Sequence, residues 1–374
     1  MKKLLIATAV SAAFATPGIA FAQAKPPAAP TLDKVLEASG ISVSGYMDVA
    51  YTYANKNIQT GFTDRVFDSQ NNSFGLHQFG LTVAKQPKEG FGGLVNLTVG
   101  KDAQVIHSFP EGGAGGAGLA ASSMFDVTQA FMQYATGSLT VIAGKYATMH
   151  GTEVIASTGN TNFSRSILFG AVPFTHTGLR ATWALSDTVS LMAGVNNGWD
   201  QLTDQNKGKT VELGATLNPI KPLTITVSGM SGKEVTTATT DGTRTSLNAV
   251  ASYTIIDPLS VGLEVLSVSQ DNVGGVGTKQ KYSGEAVYVT YMVTPKLRGV
   301  LRVESFNDKD GFHFATAGTK YKEGTVTVSY LANDSFEARV EVRRDQATNA
   351  VFTDSTGATS KTLMTGALQG LYKF

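Results

Sequence analysis

The stretch Phe336-Glu-Ala-Arg-Val-Glu-Val-Arg343 decides the fold class of this chain. Every second residue from Phe336 to Val342 is apolar, and every residue between them is charged. Successive side chains of a β-strand point to opposite faces, so this pattern places an apolar face opposite a fully charged one. Such a strand predicts a sheet with an apolar phase on one side and water on the other.

The same period of two continues from Ile41 to the end of the chain. It recurs, mostly without charges, at 211–217, 223–228, 261–265 and 325–330. A soluble β-sandwich also alternates, so the persistence of the pattern and the spacing of its connectors must decide between the two architectures.

The connectors between these segments alternate in length. Seven are short: 86–90, 137, 186–187, 219–222, 257–258, 294–296 and 333–335. Eight are long: 55–72, 103–124, 149–171, 199–208, 233–242, 270–281, 307–321 and 347–361. Short turns at one rim and long loops at the other are typical of outer-membrane β-barrels. The connectors therefore predict an all-β, transmembrane antiparallel barrel of about sixteen strands, with periplasmic turns and extracellular loops.

The first residues have the features of a secretory signal peptide. Lys2 and Lys3 precede an apolar stretch, and Ala20-Phe21-Ala22 supplies the small residues of a cleavage site. We expect a signal peptide at 1–22, a periplasmic segment at 23–40 and the transmembrane barrel at 41–374. An uncleaved anchor is the alternative. No later apolar run is long enough to be a transmembrane helix.

The two ends of the expected mature chain carry separate signals. Residues 31–38 predict a short helix, capped by Thr31 and ended by Gly40, that either rests against the periplasmic mouth or is a disordered tether. At the other end, Tyr372 and the terminal Phe374 lie on an apolar face, as in the assembly signal of outer-membrane barrels.

Composition excludes several classes of site. The chain has 42% hydrophobic and 16% charged residues and no cysteine, which excludes disulfides and thiol metal sites. Removing Lys2 and Lys3 with the leader leaves 28 basic and 29 acidic residues, which gives no reason to expect nucleic acid. The five histidines lack metal-ligand spacing, so neither a metal nor a cofactor is predicted.

Aromatic residues recur near the predicted strand ends or on the outer face. We expect them to form two interfacial girdles. They are Tyr46, Tyr51, Tyr53, Phe125, Tyr134, Trp183, Trp199, Tyr253, Tyr288, Tyr291 and Tyr330.

Several stretches resemble the OmpL-like putative β-barrel porin family of Gram-negative outer membranes. They are Ser44-Gly-Tyr-Met-Asp-Val-Ala-Tyr-Thr-Tyr53, Gly144-Lys-Tyr146 with Gly151-Thr-Glu-Val-Ile155, Asn160-Thr-Asn-Phe-Ser-Arg-Ser-Ile-Leu-Phe169 with Pro173-Phe-Thr-His-Thr-Gly-Leu-Arg180, and Val195-Asn-Asn-Gly-Trp-Asp200 with Asn206-Lys-Gly-Lys209. The resemblance covers most of the mature chain and is most distinctive over 144–209. It implies an outer-membrane barrel with pore activity but no particular solute, and 112–121 looks like a local loop embellishment.

Strand alternation assigns a set of charged residues to the water-filled lumen. They are Asp48, Arg180, Glu212, Arg244, Glu264, Arg298, Arg302, Glu304, Glu337, Arg339, Glu341 and Arg343. Six are acidic and six basic, so no ion preference follows, and any one of them could simply pair and solvate the lumen.

The long connector at 149–171 is the candidate constriction loop. It contains the polar residues Glu153, Asn160, Asn162 and Arg165, which would reach the waist of the pore if the loop folded inward. An ordinary surface loop is the equal alternative.

These observations predict a porin for passive diffusion of small hydrophilic solutes and ions across the outer membrane of a Gram-negative bacterium. The expected partners are outer-membrane lipid and lipopolysaccharide, the barrel-assembly machinery and small solutes, with assembly into a homo-oligomer left open. One alternative is an occluded receptor or adhesin barrel. The other is a barrel hydrolase using His150 or His176 near the rim, although no recognised catalytic motif surrounds them.

Overall fold

A computed structural model of the chain describes residues 31–374 except 57, 59–61, 63, 110–122, 238–239 and 276. The expected signal peptide, the segment 23–30 and the Gly/Ala-rich tract 112–121 lie outside the described residues. The chain divides into two compact units, one ending at Ser39 and the other spanning Gly40–Phe374. The first contains helix α1 (Leu32–Ser39), where Val35 N–H donates to the Thr31 carbonyl at 3.2 Å. None of the described helices has the length and apolarity to cross a membrane.

The second unit is a closed barrel of sixteen antiparallel strands. The described strands of this unit, two of them outside the barrel, are β1 (Ser42–Ala54), β2 (Ser73–Lys85), β3 (Gly90–Val99), β4 (Phe125–Thr136), β5 (Leu139–Ala147), β6 (Thr175–Ser186), β7 (Val189–Asn196), β8 (Thr210–Ile220), β9 (Leu223–Thr237), β10 (Thr240–Ile256), β11 (Leu259–Val273), β12 (Thr278–Thr294), β13 (Leu297–Asp308), β14 (Thr319–Leu331), β15 (Phe336–Ala347), β16 (Phe352–Thr353), β17 (Thr359–Ser360) and β18 (Thr362–Lys373). The short strands β16 and β17 form a separate hairpin within the last loop. The prediction of a sixteen-stranded antiparallel barrel is confirmed.

The barrel closes where its first strand meets its last. β1 pairs with β18 in a register that sets Tyr51 opposite Leu368. The two strands are also joined at their periplasmic ends, where Gly45 and Phe374 exchange backbone hydrogen bonds, each 2.9 Å long. Closure leaves no unpaired strand edge, which is what a sheet inside a bilayer requires because lipid cannot satisfy backbone groups.

The outer face of the barrel carries the apolar half of each alternating strand. Val340 of β15 lies between Val328 of β14 and Leu368 of β18, and these three side chains are 54%, 45% and 57% exposed. A continuous exposed apolar face of this kind would aggregate in water, whereas acyl chains solvate it.

Two of the predicted long loops are instead extensions of strands. β9 continues to Thr237 and β10 begins at Thr240, so most of the predicted loop at 233–242 is a hairpin arm. Likewise β11 reaches Val273 and β12 starts at Thr278, which corrects the predicted loop at 270–281. These arms lie beyond the apolar band, where both faces carry polar residues, and the alternation that reveals a strand in sequence therefore fades.

Three predicted girdle aromatics lie inside the barrel. Tyr46 donates its hydroxyl to the Gln78 side chain at 2.6 Å, and Tyr288 and Trp199 are also buried. Alternation places Tyr46 and Tyr288 among the inward positions of their strands, and Trp199 belongs to a loop. Tyr53, Tyr134, Trp183, Tyr253, Tyr291 and Tyr330 are exposed.

The largest apolar cluster fills the extracellular half of the interior rather than a layer between sheets. Loop residues Ile58, Phe62, Leu168 and Trp199 pack there with inward-facing strand residues such as Phe306. The loops therefore turn into the barrel and pack on its inner wall.

Candidate functional site in the barrel interior

The connector between β5 and β6, residues 148–174 and here termed loop 3, folds into the barrel. It contains a single 3₁₀ turn at Ser157–Gly159 and the short helix α3 (Ile167–Gly170). Another short helix, α2 (Ala103–Ile106), lies in the connector between β3 and β4. Most of loop 3 has no regular structure, so its peptide groups need partners from elsewhere. Inward side chains of the wall strands supply them.

One line of these partners comes from the charged face of β15. Arg339 donates to the carbonyls of Asn160 and Asn162 at 2.7 and 3.0 Å. Glu341 accepts the backbone N–H groups of Phe163 and Ser164 at 2.7 and 2.9 Å. Arg343 donates to the Arg165 carbonyl, so three alternate residues of one strand bind peptide groups of loop 3 between Asn160 and Arg165.

Strand β13, which is separated from β15 by β14, holds further parts of loop 3. Arg302 donates to the Glu153 carboxylate at 2.8 Å and to the Ser164 carbonyl at 2.7 Å. Glu304 accepts the backbone N–H groups of Ile167 and Leu168 at the start of α3, at 2.7 and 3.2 Å. Carboxylates at a helix start accept otherwise unpaired N–H groups.

The strands that flank β13–β15 on either side fix the first half of loop 3. Asp48 of β1 accepts the Ser157 hydroxyl at 2.5 Å, and Glu264 of β11 accepts the Thr152 N–H at 2.9 Å. His150 lies between the hydroxyls of Ser228 and Ser246, at 2.7 and 2.8 Å. Loop 3 is therefore bonded to β1 and to β9, which lie eight strands apart in the sixteen-stranded barrel and so on opposite sides of the interior.

The twelve charged residues assigned to the lumen all turn inward. Seven bond to loop 3: Asp48, Glu264, Arg302, Glu304, Arg339, Glu341 and Arg343. Arg180 pairs with Glu212, and Arg298 pairs with Glu337. Arg244 lies apart in a cavity on the extracellular side. Their role in lining a conducting path stays a prediction.

The four polar residues named for the constriction hold loop 3 together. Asn160 bonds to the backbone of Val154 through both its side-chain groups. Glu153 accepts the Ser166 N–H at 2.7 Å. The buried Arg165 donates to the carbonyls of Phe163, Val154 and Ile155. Its guanidinium lies over the rings of Phe67 and Phe169. Asn162 donates its side-chain N–H to the Thr327 hydroxyl on the wall.

A chain of alternating charges continues from loop 3 to the first loop. From Glu153 and Arg302 it passes through Glu323 to a second group of charges. We term this group the loop-1 charge cluster, and it comprises Asp64, Arg65, Asp68, Arg343 and Asp345. Burial, together with the nearby Asp345 charge, raises the pKa of the Asp64 carboxyl to about 7.

Sequence reasoning missed several members of this network. Glu323 shares the inward face of β14 with Thr325 and Thr327, so strand parity alone could have identified it. No sequence pattern identifies Arg65, because its partner on β15, Asp345, lies 280 residues away in sequence.

Two cavities lie on opposite sides of loop 3. The extracellular one, here termed the vestibule, has a volume of about 520 Å³ and is bordered by Ala171–Phe174 of loop 3. The periplasmic one, of about 170 Å³, has a mostly polar rim that includes Thr161 of loop 3 and Ser260 and Thr290 of the wall. Loop 3 therefore separates the space open to the outside from the space open to the periplasm.

The histidines considered for hydrolysis are both buried beneath loop residues. Burial lowers the pKa of His150 to about 3, which makes its imidazole a weak base at neutral pH. His176 contacts the Gly198 carbonyl at 3.0 Å. In the described part of the chain, no carboxylate bonds to either ring to complete a catalytic triad.

Comparison with known proteins gives one family match. The model of a family described as "Putative beta-barrel porin-2, OmpL-like" matches residues 40–372. No curated protein matches the chain.

Solved structures of outer-membrane channels share the fold. The outer membrane channel DcaP of Acinetobacter baumannii is 15% identical, with a TM-score of 0.61 over 89% of this chain and 97% of its own. An anion-selective porin from Comamonas acidovorans is 9% identical, with a TM-score of 0.64 over 89% and 99%. The trimer form of OmpT of Vibrio cholerae is 13% identical, with a TM-score of 0.60 over 89% and 99%. At these identities the likeness concerns the fold alone.

Proposed function

The chain belongs to the OmpL-like putative β-barrel porin family, and we propose that solutes cross its barrel past loop 3, which forms the narrowest part of the path. The protein is an outer-membrane porin for passive diffusion, and its family and fold point to a channel rather than an enzyme. One observation supports the position of the constriction. Loop 3 is bonded to β1 and β9 on opposite sides of the inner wall, and it lies between an extracellular and a periplasmic cavity.

The absence of native cysteine provides a direct test of that path. Thr161 is half-buried and borders the periplasmic cavity, so a T161C variant places one reactive thiol beside the proposed constriction. Val342, 53% exposed on the outer face, gives the matched control V342C. We expect a charged thiol reagent to reduce single-channel conductance of T161C in planar bilayers and to leave V342C unchanged. Complete labelling of T161C, verified by mass, without a change in current would remove loop 3 from the path.

A second candidate, an occluded receptor barrel, is favoured by the apolar cluster in the extracellular half of the interior. Phe62, Trp199 and Phe306 occupy space there that water would fill in an open pore. The same recordings separate the two candidates. A folded, heat-modifiable barrel that never conducts would support the receptor, whereas stepwise conductance supports the channel.

We also propose that lipopolysaccharide contacts a basic patch on the outer face. Lys320, Lys322 and Arg344 are exposed and face outward on β14 and β15, above the apolar band formed by Val326 and Val342. Basic residues next to an anionic lipid surface contribute about 1 kcal/mol each. We expect Gln at all three positions to weaken binding of purified lipid A, measured by native mass spectrometry. Equal retention of lipid A would contradict this contact.

Two further partners follow from the ends of the barrel and from its relatives. The last strand β18 with its Tyr372, together with the Phe374 that follows it, is the proposed signal for the barrel-assembly machinery. A trimer form is described for OmpT of Vibrio cholerae, and we propose that this chain also forms a homo-oligomer. Native mass spectrometry of the detergent complex would test the stoichiometry, and a strictly monomeric species would contradict it.

A further inference from the structure

The vestibule holds a cationic group that loop 3 does not use. Arg244 of β10 lies between the rings of Trp199 and Phe312, with its guanidinium carbon 4.7 and 5.3 Å from their centroids. Its Nε donates to the Gln270 side chain at 2.5 Å. Within the described residues neither terminal nitrogen has an acceptor. The two rings and Gln270 thus fix a guanidinium whose paired terminal N–H groups suit a carboxylate.

Two carboxylates border the same cavity as Arg244. Asp200 uses one oxygen to accept the N–H groups of Phe174 and Thr175, at 2.7 and 2.9 Å. Glu234 uses one oxygen to accept the Trp199 N–H at 3.1 Å and the Thr210 hydroxyl at 3.2 Å. The second oxygen of each has no donor among the described residues, and neither carboxylate forms an ion pair with Arg244. The cavity therefore presents separated positive and negative groups.

The remaining wall of the vestibule combines aromatic and aliphatic side chains with the polar Gln201, Gln205, His107 and His313. Phe109, Phe174, Trp199, Tyr282 and Phe312 all border it. Its volume of about 520 Å³ lies within the range of about 300–1,000 Å³ typical of small-molecule sites. An apolar wall with a few fixed polar groups is the usual composition of such a site.

Resting on the proposed channel function, we infer that the vestibule binds small zwitterions with an apolar side chain, namely free apolar α-amino acids, before they reach loop 3. The ligand carboxylate binds the terminal nitrogens of Arg244. The ammonium group binds the open oxygens of Glu234 and Asp200. The apolar side chain packs on the other aromatic rings of the vestibule, those of Phe109, Phe174 and Tyr282.

The two tryptophans of the chain make this site directly observable. Trp183 is 53% exposed on the outer face, and Trp199 borders the vestibule. In a W183F variant, Trp199 is the single fluorescent reporter. Addition of L-leucine to the full-length W183F protein in detergent is expected to change its emission with saturation. Equilibrium dialysis with radiolabelled leucine measures the same binding without relying on fluorescence.

Three comparisons define the ligand class. We expect 4-methylpentanoate, which lacks the ammonium, and 3-methylbutylamine, which lacks the carboxylate, to bind at least about tenfold more weakly than leucine. R244Q should weaken leucine binding about tenfold to a hundredfold, and R244K should restore part of it. K233Q, on the outward side of β9 next to Glu234, is the matched control and should bind as the parent does.

Each outcome addresses either the site or the channel. Conductance without saturable leucine binding would overturn the vestibule site and leave the porin function intact. Saturable binding in a barrel that never conducts would overturn the channel and leave the site. Equal affinities for leucine and its two truncated analogues, or an unchanged affinity in R244Q, would overturn the zwitterion assignment.

Discussion

Loop 3 should leave the wall when its carboxylate anchor on β15 is neutralised. Glu341 accepts two loop N–H groups, from Phe163 at 2.7 Å and Ser164 at 2.9 Å, and also the Thr327 hydroxyl at 2.7 Å. In an E341Q variant the amide offers one acceptor oxygen, and its NH₂ group faces a loop N–H. The change keeps the shape of the side chain and removes the anchor.

The size of this effect follows from the bonds lost. A hydrogen bond to a charged group contributes about 1.5–3 kcal/mol, and a neutral one about 0.5–1.5 kcal/mol. Weakening one N–H bond and leaving the other without an acceptor therefore costs loop docking about 2–4 kcal/mol, because a buried unpaired donor is itself unfavourable. The undocked fraction should rise roughly 30-fold to 700-fold, since each 1.4 kcal/mol is a factor of ten.

Two assays report this release. In planar bilayers E341Q should show larger current fluctuations and a higher mean conductance than the parent. In proteoliposomes trypsin should cleave after Arg165, a residue only 2% exposed in the docked loop. E285Q makes the same chemical change at an exposed glutamate of β12 and should behave as the parent. If E341Q showed parental noise and parental resistance to trypsin, the β15 contacts would not be what holds loop 3.

Three further changes address other parts of the account. Burial raises the pKa of Asp64 above its ordinary 3.8 to about 7, so protonation of Asp64 favours the docked loop-1 charge cluster. This stabilisation is complete below about pH 3.8 and is lost as pH rises through about 7. Hydrogen exchange of the first loop, corrected for intrinsic rates, should therefore be slower at pH 5 than at pH 8, and D64N should abolish the difference; a difference that persists in D64N would assign it to another group. R298Q removes a lumen charge that does not touch loop 3 and should shift the reversal potential in a salt gradient toward cation preference. R344Q, on the outer face, is the control and should leave the reversal potential unchanged. Equal reversal potentials for R298Q and the parent would place Arg298 off the ion path. Deletion of Phe374, which is bonded to Gly45 at the closure, should slow insertion into liposomes, and parental kinetics would refute an assembly role.

Much of the barrel could be predicted because lipid imposes a regular pattern. Within the apolar band each strand must alternate apolar and polar residues, so residues 336–343 alone predict β15 and its charged face. Beyond the band both faces of a strand meet water and the alternation of apolar and polar residues fades. The sequence therefore predicts loops at 233–242 and 270–281, where the structure has strand arms. The aromatic positions were predicted only in part, since an aromatic residue suits either an interfacial girdle or a packed interior.

The candidate site was predictable in its wall but not in its contacts. Parity placed Arg339 and Glu341 inside, yet it gave no indication that they bind loop 3 instead of facing open water. That pairing depends on the path of an irregular loop, whose backbone conformation no periodicity records. The same reason hides Arg65 and the vestibule, where groups from several loops meet.

The central claim is that the apolar outer face meets acyl chains while the inner face encloses a path for water and small solutes. Swelling of liposomes that contain the folded protein tests it most directly. We expect rapid swelling in an iso-osmotic monosaccharide and much slower swelling in a trisaccharide, because loop 3 narrows the path. Liposomes that hold the folded, protease-resistant barrel and swell in neither sugar would contradict the claim.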